Sequence, residues 1–433
     1  MSFPRYPKYK DSGVEWVGEV PAHWTVTRLK RIARLLTERT DRCARPVALE
    51  NIASGSGQFI ETEADFSGEG VAFESGDILF GKLRPYLAKV LLADFPGEAV
   101  GDFHVMRLER GISGRFVQYE LLNPDFISLV DGSTFGARMP RASWGFMGGI
   151  ELAAPPLPEQ TAIAAFLDRE TGKIDALVAE QEKLIALLKE KRQAVISHAV
   201  TNGLDSAVPM KDSGIEWLGK VPAHSEIRSI KSIATEQHTL FIDGDWIESR
   251  NLGDGGIRYI TTGNVGAGFY KEHGSGFISQ GTFIALNCTE VLPGDVLISR
   301  LNPPIGRACV VPKMATRIVT SVDNVIVRPN AGFDRTFLVY RLTGSDYLHE
   351  AANLASGTTM QRISRRELGS IRLTLPPYPE QIEIARYLTA AIGKLDVLSI
   401  KVARAVTLLK ERRSTLISAA VTGQIDVRGS MAA

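Results

Sequence analysis

The chain has 433 residues, 44% of them apolar and 23% charged, with a formal net charge of +1. Such a length exceeds one ordinary domain, and the composition excludes a disordered or fibrous chain. No apolar run reaches the ~20 residues that cross a bilayer, MSFPRYPKYK at the N-terminus lacks the apolar core of a signal peptide, and a cytoplasmic protein is expected.

The first element read along the chain is KDSGVEWVGEVPAH (10–23), which returns as KDSGIEWLGKVPAH (211–224) with eleven of fourteen positions identical. His23 and His224 are equivalent and read as structural contacts of the VPAH turn. A basic run follows at 28–45, with seven cations against two acids and no equally basic counterpart later. GDILFGKLRPYLAK (76–89) is echoed by GDVLISRLNPPIGR (294–307), an offset of 218. Each predicts an amphipathic strand that alternates apolar and polar residues after a Gly-Asp turn. FHVMRLE (103–109) and NVIVRP (324–329) read as further strands, and short helices are predicted over 115–122 and 336–342. STFGARMPR (133–141) aligns loosely with GTTMQRISR (357–365).

PPLPEQ (155–160) returns as PPYPEQ (376–381), an offset of 221 held to the end, where VTNGLD (200–205) matches VTGQID (421–426). Each PEQ opens a helix of about 40 residues, with its acid in the first turn where the macrodipole favours it. Leu167, Ile174, Gln181, Leu188 and Val195 recur every seven residues, as do Leu388, Leu395, Val402, Leu409 and Leu416. A second seam would hold Leu177, Leu184, Lys191 and His198, and Leu398, Ala405 and Ala419. Heptads with charged flanks predict coiled-coil pairing of the two helices, antiparallel about a pseudo-twofold axis. Gln181 is a lone polar seam residue of the kind that fixes register.

The chain is therefore two copies of one unit, agreeing at their borders and diverging between them. The expected fold is mixed α/β (α+β): two globular domains separated by two long antiparallel coiled-coil helices. The expected boundaries are 1–155 and 206–375 for the globular domains, 156–205 and 376–426 for the helical regions, and 427–433 for a tail.

Catalytic chemistry is not apparent. There is no phosphate-cradling loop and no GxGxxG after a strand. LNPPI (301–305) approaches an adenine-methyltransferase signature, but Ile305 stands where an aromatic should stack on a flipped base. Cys43, Cys288 and Cys309 are too scattered for a disulfide framework or zinc site, and no metal is expected.

The doubled KDSG-x-EW-x-G-x-VPAH signature, the GD-x-L strands followed by a cation, the STFGARM and SGTTMQRIS segments and PP-x-PEQ before each long helix together resemble the specificity subunit of type I restriction–modification enzymes. The resemblance spans essentially the whole chain, in that family's order. It implies two target recognition domains, each reading one half of a bipartite, asymmetric DNA target. It implies helices that set the half-site spacing and dock two modification subunits, with restriction subunits joining through those. It implies a chain with no catalytic residues or cofactor of its own, with S-adenosylmethionine, ATP and Mg on the partner subunits. A membrane has no place in it.

Under that reading Lys82, Arg84, Arg138 and Arg141 are candidate DNA contacts in the first copy, and Arg300, Asn302, Arg307, Gln361, Arg362 and Arg365 in the second. All follow strands or polar turns of repeated segments, with Arg suited to guanine and Asn or Gln to adenine. Leu167, Ile174, Leu188, Val195, Leu388, Leu395, Leu409 and Leu416 are the candidate helix-pairing residues. Two alternatives are a single-chain DNA adenine methyltransferase with fused recognition domains and a non-DNA coiled-coil adaptor.

Overall fold

Two helices of 46 and 44 residues, Leu157–Asn202 and Tyr378–Val421, form where the heptads place them. A computed structural model describes residues 3–40, 45–62, 69–134, 139–274 and 276–431. Each helix begins just after a Pro-Pro pair with Glu159 or Glu380 in its first turn, and each stops at a glycine in the left-handed region, Gly203 or Gly423. Glycine is required twice over at Gly423, where a Cβ would lie 2.4 Å from Pro21.

The chain divides into two compact units, 1–182 with 403–433, and 183–402. Within the first unit the start of the first long helix runs antiparallel to the end of the second. Arg413 meets Asp175 at 2.8 Å and Lys410 meets Glu182 at 3.0 Å. Within the second unit Arg192 lies 3.2 Å from Asp396, and Ile196, Ala199 and Val200 share a core with Ile384, Leu388 and Ile392.

Of the heptad residues, Leu167, Ile174, Leu188, Leu388, Val402 and Leu416 are buried, and Val195, Leu395 and Leu409 are partly so. The second seam does not form: Leu177 is 50% and Leu398 43% exposed. Two helices bury one stripe between them. The neighbouring stripe is taken by the globular part, so Val178 and Val406 are buried instead.

Each unit carries the same antiparallel four-stranded sheet. In the first the order is Ala33–Leu36, Phe103–Leu108, Ile78–Gly81, Val90–Leu92. In the second it is Leu240–Asp243, Asn324–Arg328, Val296–Ser299, Ala308–Val310. The GD-x-L strands are central and buried at every position, not half-solvated as their alternation suggested. Ile78 and Phe80 face the core shared with the helices, while Leu79 faces a second core. Val296 and Ile298 are separated from Leu297 in the same way.

The Gly-Asp of these motifs has a specific task. Buried Asp77 accepts from Arg107 at 2.9 and 2.8 Å and from the Glu74 N–H at 2.7 Å. Asp295 repeats this with Arg328 at 2.8 and 2.7 Å and the Leu292 N–H at 2.8 Å. The carboxylate thereby caps the turn and ties two strands together.

The units part company in their second sheets. Among the described residues the first has four short strands, Arg39–Thr40, Gly70–Phe73, Gly97–Val100 and Pro46–Val47. The second has three, Gly276–Ile278, Ile257–Ile260 and Arg317–Thr320, with a helix at Gln280–Ala285. The short helices of the two units, Gly114–Leu121 and Arg335–Arg341, begin one residue before their predicted starts, capped by Ser113 and Asp334.

Candidate nucleic-acid interface

The repeated border motifs meet one another. His23 Nε2 lies 2.6 Å from Glu159, and His224 Nε2 lies 2.6 Å from Glu380. Each VPAH turn is thus fastened to the first turn of a long helix, where a carboxylate is already favoured. Next in line, Gln160 accepts from the Ser113 N–H and Gln381 from the Asp334 N–H, both at 2.9 Å. These motifs build a scaffold, which accounts for their near identity.

Beyond each central strand the chain makes a second shared construction. The Lys82 N–H donates to Asp102 O (2.8 Å), the Ala142 N–H to Lys82 O (2.8 Å) and the Arg84 N–H to Pro140 O (2.9 Å). In the other unit the Arg300 N–H donates to Asp323 O (2.8 Å), the Ile363 N–H to Arg300 O (3.0 Å) and the Asn302 N–H to Gln361 O (3.2 Å). Arg84 and Asn302 are both left-handed, at φ 51° and 59°. Leu83 bridges Arg141 as Leu301 bridges Arg362. This geometry pairs Arg141 with Arg362, at the offset of 221, and corrects the looser sequence alignment that set Arg141 against Arg365.

On this frame Arg141 forms a two-pronged ion pair with Asp102, and Arg362 lies 2.9 Å from Asp323. The two guanidinium side chains remain 48% and 44% exposed. Lys82 Nζ lies 3.8 Å from the same Asp102. Arg84 is exposed, and its side chain has no partner among the described residues. Two cations, Lys82 and Arg141, therefore share the Asp102 carboxylate in the first unit, an excess of one positive charge, and exposed Arg84 adds another on the same backbone frame. Arg138 lies outside the described residues.

In the second unit Asn302, Gln361, Arg362 and Arg365 are exposed, with Arg365 Nη1 3.6 Å from Asp243. Two expected contacts turn inward. Arg300 is buried, 3.1 Å from Asp243, and donates to the carbonyls of Val322 (2.6 Å) and Ile363 (3.3 Å). Arg307 donates to the carbonyls of Val265, Thr262, Leu301, Asn302 and Pro304. Both guanidinium groups hold loops together. Burial holds both below the usual arginine range.

The acids Asp102, Asp323 and Asp243 escaped the sequence reading. Asp102 and Asp323 stand at the same offset of 221 as the PEQ motifs, a signal the residues did carry. Ile305, after the two prolines, is buried. Among the described residues no group of three or more His, Cys, Asp or Glu could hold a metal ion. No helix among them is long and apolar enough to cross a membrane.

A family model described as the type I restriction modification DNA specificity domain matches residues 224–401. The type I restriction enzyme EcoDI specificity subunit of Escherichia coli is 21% identical over 428 residues, covering 94% of this chain and 90% of that protein. The MjaVIII specificity subunit of Methanocaldococcus jannaschii is 23% identical over 310 residues, covering 70% and 68%. A structure concerned with assembly and conformational transition of the type I R-M system superposes with a TM-score of 0.72 at 20% identity, covering 93% of this chain and 98% of that one. The HsdS subunit from Thermoanaerobacter tengcongensis gives 0.50 at 19% identity, covering 94% and 98%. At these identities the structural likeness concerns the fold.

Proposed function

We propose that the chain is the non-catalytic, DNA-reading member of a type I restriction–modification complex, a reading supported by the specificity-domain match over residues 224–401 and by the likeness to a type I specificity subunit along 94% of the chain. Each unit reads one half of a bipartite target. The observation that carries this is the duplicated platform on which Arg141 and Arg362 are held by Asp102 and Asp323 beside the ends of the central strands of equivalent sheets. A guanidinium held in one orientation and still exposed is suited to a phosphate or a guanine edge.

What the units share is suited to the backbone contacts that position a protein on DNA, and what they do not share is suited to reading different bases. The exposed Lys82, Arg84, Arg141, Asn302, Gln361, Arg362 and Arg365 are the proposed DNA-facing residues, the inward-turned Arg300 and Arg307 their supports. The long helices set the half-site spacing and receive two modification subunits, through which restriction subunits join. Methyl transfer from S-adenosylmethionine, and the use of ATP and Mg, fall to those partners.

The test is to co-express the chain with its modification subunit and map methylated adenines across host DNA. A motif of two unrelated halves at a fixed gap is the expected result. Sequence-independent DNA binding by a soluble complex would count against the proposal.

A further inference from the structure

We propose that Met139 and Met360 are apolar wedges, one per unit, that enter the base stack of the half-site each unit reads; this rests on the DNA-reading function above. Met139 is 50% exposed and Met360 59%. A single exposed methionine is unremarkable. These two stand 221 residues apart, at the offset of the Asp102/Asp323 and Arg141/Arg362 pairs, and each lies two residues before its ion-paired arginine. The residues around them differ between the units: Pro140 stands against Gln361, Ala142 against Ile363, and Arg84 against Asn302. An apolar side chain retained at one exposed place, while its neighbours change, indicates a task common to both units.

The backbone holds Met360 at a hairpin tip. Ser356 and Arg362 exchange both backbone hydrogen bonds, at 3.0 and 2.9 Å. Gly357, at φ 106°, lets the chain turn where a Cβ would lie 2.6 Å from Met360 O. In the other unit the Pro140 carbonyl that follows Met139 accepts from the Arg84 N–H at 2.9 Å. Each methionine thus projects from a braced backbone beside a cation. Methionine is unbranched and polarisable, able to slide between bases, while flanking arginines hold phosphates. Proteins that bend DNA insert such side chains and recover the unstacking cost through added contacts.

The experiment uses the full chain in complex with its modification subunits. The probe is a duplex carrying the target found by methylation mapping, with 2-aminopurine at successive positions other than the methylated adenine. Wild type should brighten one step in each half-site. Met360→Ala should abolish the signal in one half-site and Met139→Ala in the other, each weakening binding by about tenfold. Met360→Leu, still apolar and long, should retain both signal and affinity. Selective binding without brightening overturns the wedge and leaves the DNA-reading function standing, as does brightening that survives both alanine variants. Alanine variants that fail to join the modification subunits would assign the methionines to protein contact, also overturning it. A wild-type complex that binds no target selectively overturns the DNA-reading function itself.

Discussion

Arg141 grips Asp102 through two parallel contacts, Nε to Oδ1 and Nη2 to Oδ2, each 3.0 Å long. Arg362 and Asp323 repeat the association at 2.9 Å in a unit whose second sheet is built differently. An exposed ion pair adds little to stability, so its recurrence is better explained by what it orients. The guanidinium is held in one plane while its Nη1 edge remains available.

Replacing Arg362 with alanine should weaken target binding by about tenfold at moderate salt and reduce the slope of log affinity against log salt by about one. Assembly with the modification subunits should be untouched. Gel-shift or fluorescence titrations at several salt concentrations measure both quantities, and an unchanged slope would remove Arg362 from the interface.

The carboxylate opposes the duplex even as it orients the arginine. Asp323→Asn should therefore raise affinity for random-sequence duplex by a few-fold, through one less negative charge beside the phosphates, and lower the ratio of specific to random binding. Competition titration against random duplex gives that ratio, and a rise in it would contradict the orienting role.

Asp77 and Asp295 act within the fold. Replacing either with alanine strands a capped N–H and a half-buried arginine, at a cost of about 2–4 kcal/mol. Urea unfolding should show the loss as a lower midpoint. Near-neutral values for both would mean that the Arg107 and Arg328 pairs hold nothing together.

The GD-x-L segments were legible as strands, because alternation and a Gly-Asp turn are local signals. Their burial on both faces was not, because Phe103–Leu108 and Val90–Leu92 flank Ile78–Gly81 through pairings invisible along the chain. Heptads likewise announced both long helices but misplaced Leu177 and Leu398, since the globular part decides which second stripe is covered. Lys82 and Arg300 look alike in sequence. Asp243, on a neighbouring strand, and the carbonyls of Val322 and Ile363 turn Arg300 inward, and none of these contacts can be read along the chain. The match of Arg141 to Arg362 slipped by three residues for a similar reason: short, dissimilar loops carry little register, whereas the Leu83 and Leu301 bridges fix it.

Equivalent glutamates at the two helix starts should differ in weight. Glu159 accepts from His23 (2.6 Å), buried Trp24 Nε1 (2.9 Å) and Tyr6 Oη (3.2 Å). At the second helix Ser225 replaces the tryptophan, and half-exposed His224 is the side chain bound to Glu380. Glu159→Ala should cost about 1–3 kcal/mol, because the indole N–H cannot reach water. Glu380→Ala should cost less than about 1 kcal/mol, because His224 can reach water. Equal losses in denaturant unfolding would contradict this account.

Glu120 supplies a pH dependence. At the equivalent position Arg341 is buried but holds Asp346 through two 3.0 Å contacts. Glu120 is fully buried and its charged form is helped by the Ala153 backbone, so desolvation pushes its pKa well above the ordinary glutamate value. The folded state therefore favours the protonated acid. Its contribution is fully present below the unfolded value of about 4.3 and is lost as pH rises through the higher folded value. Glu120→Gln, neutral at every pH, should match wild type near pH 4 and exceed it at pH 8. The gain in melting temperature should be roughly 2–4 °C for each kcal/mol relieved. Melting curves of both proteins between pH 4 and 8 test this through their difference, which cancels the titration of other carboxylates. A difference that stays flat across that range would mean that Glu120 folds with its charge intact, and that the Ala153 N–H compensates what burial removes.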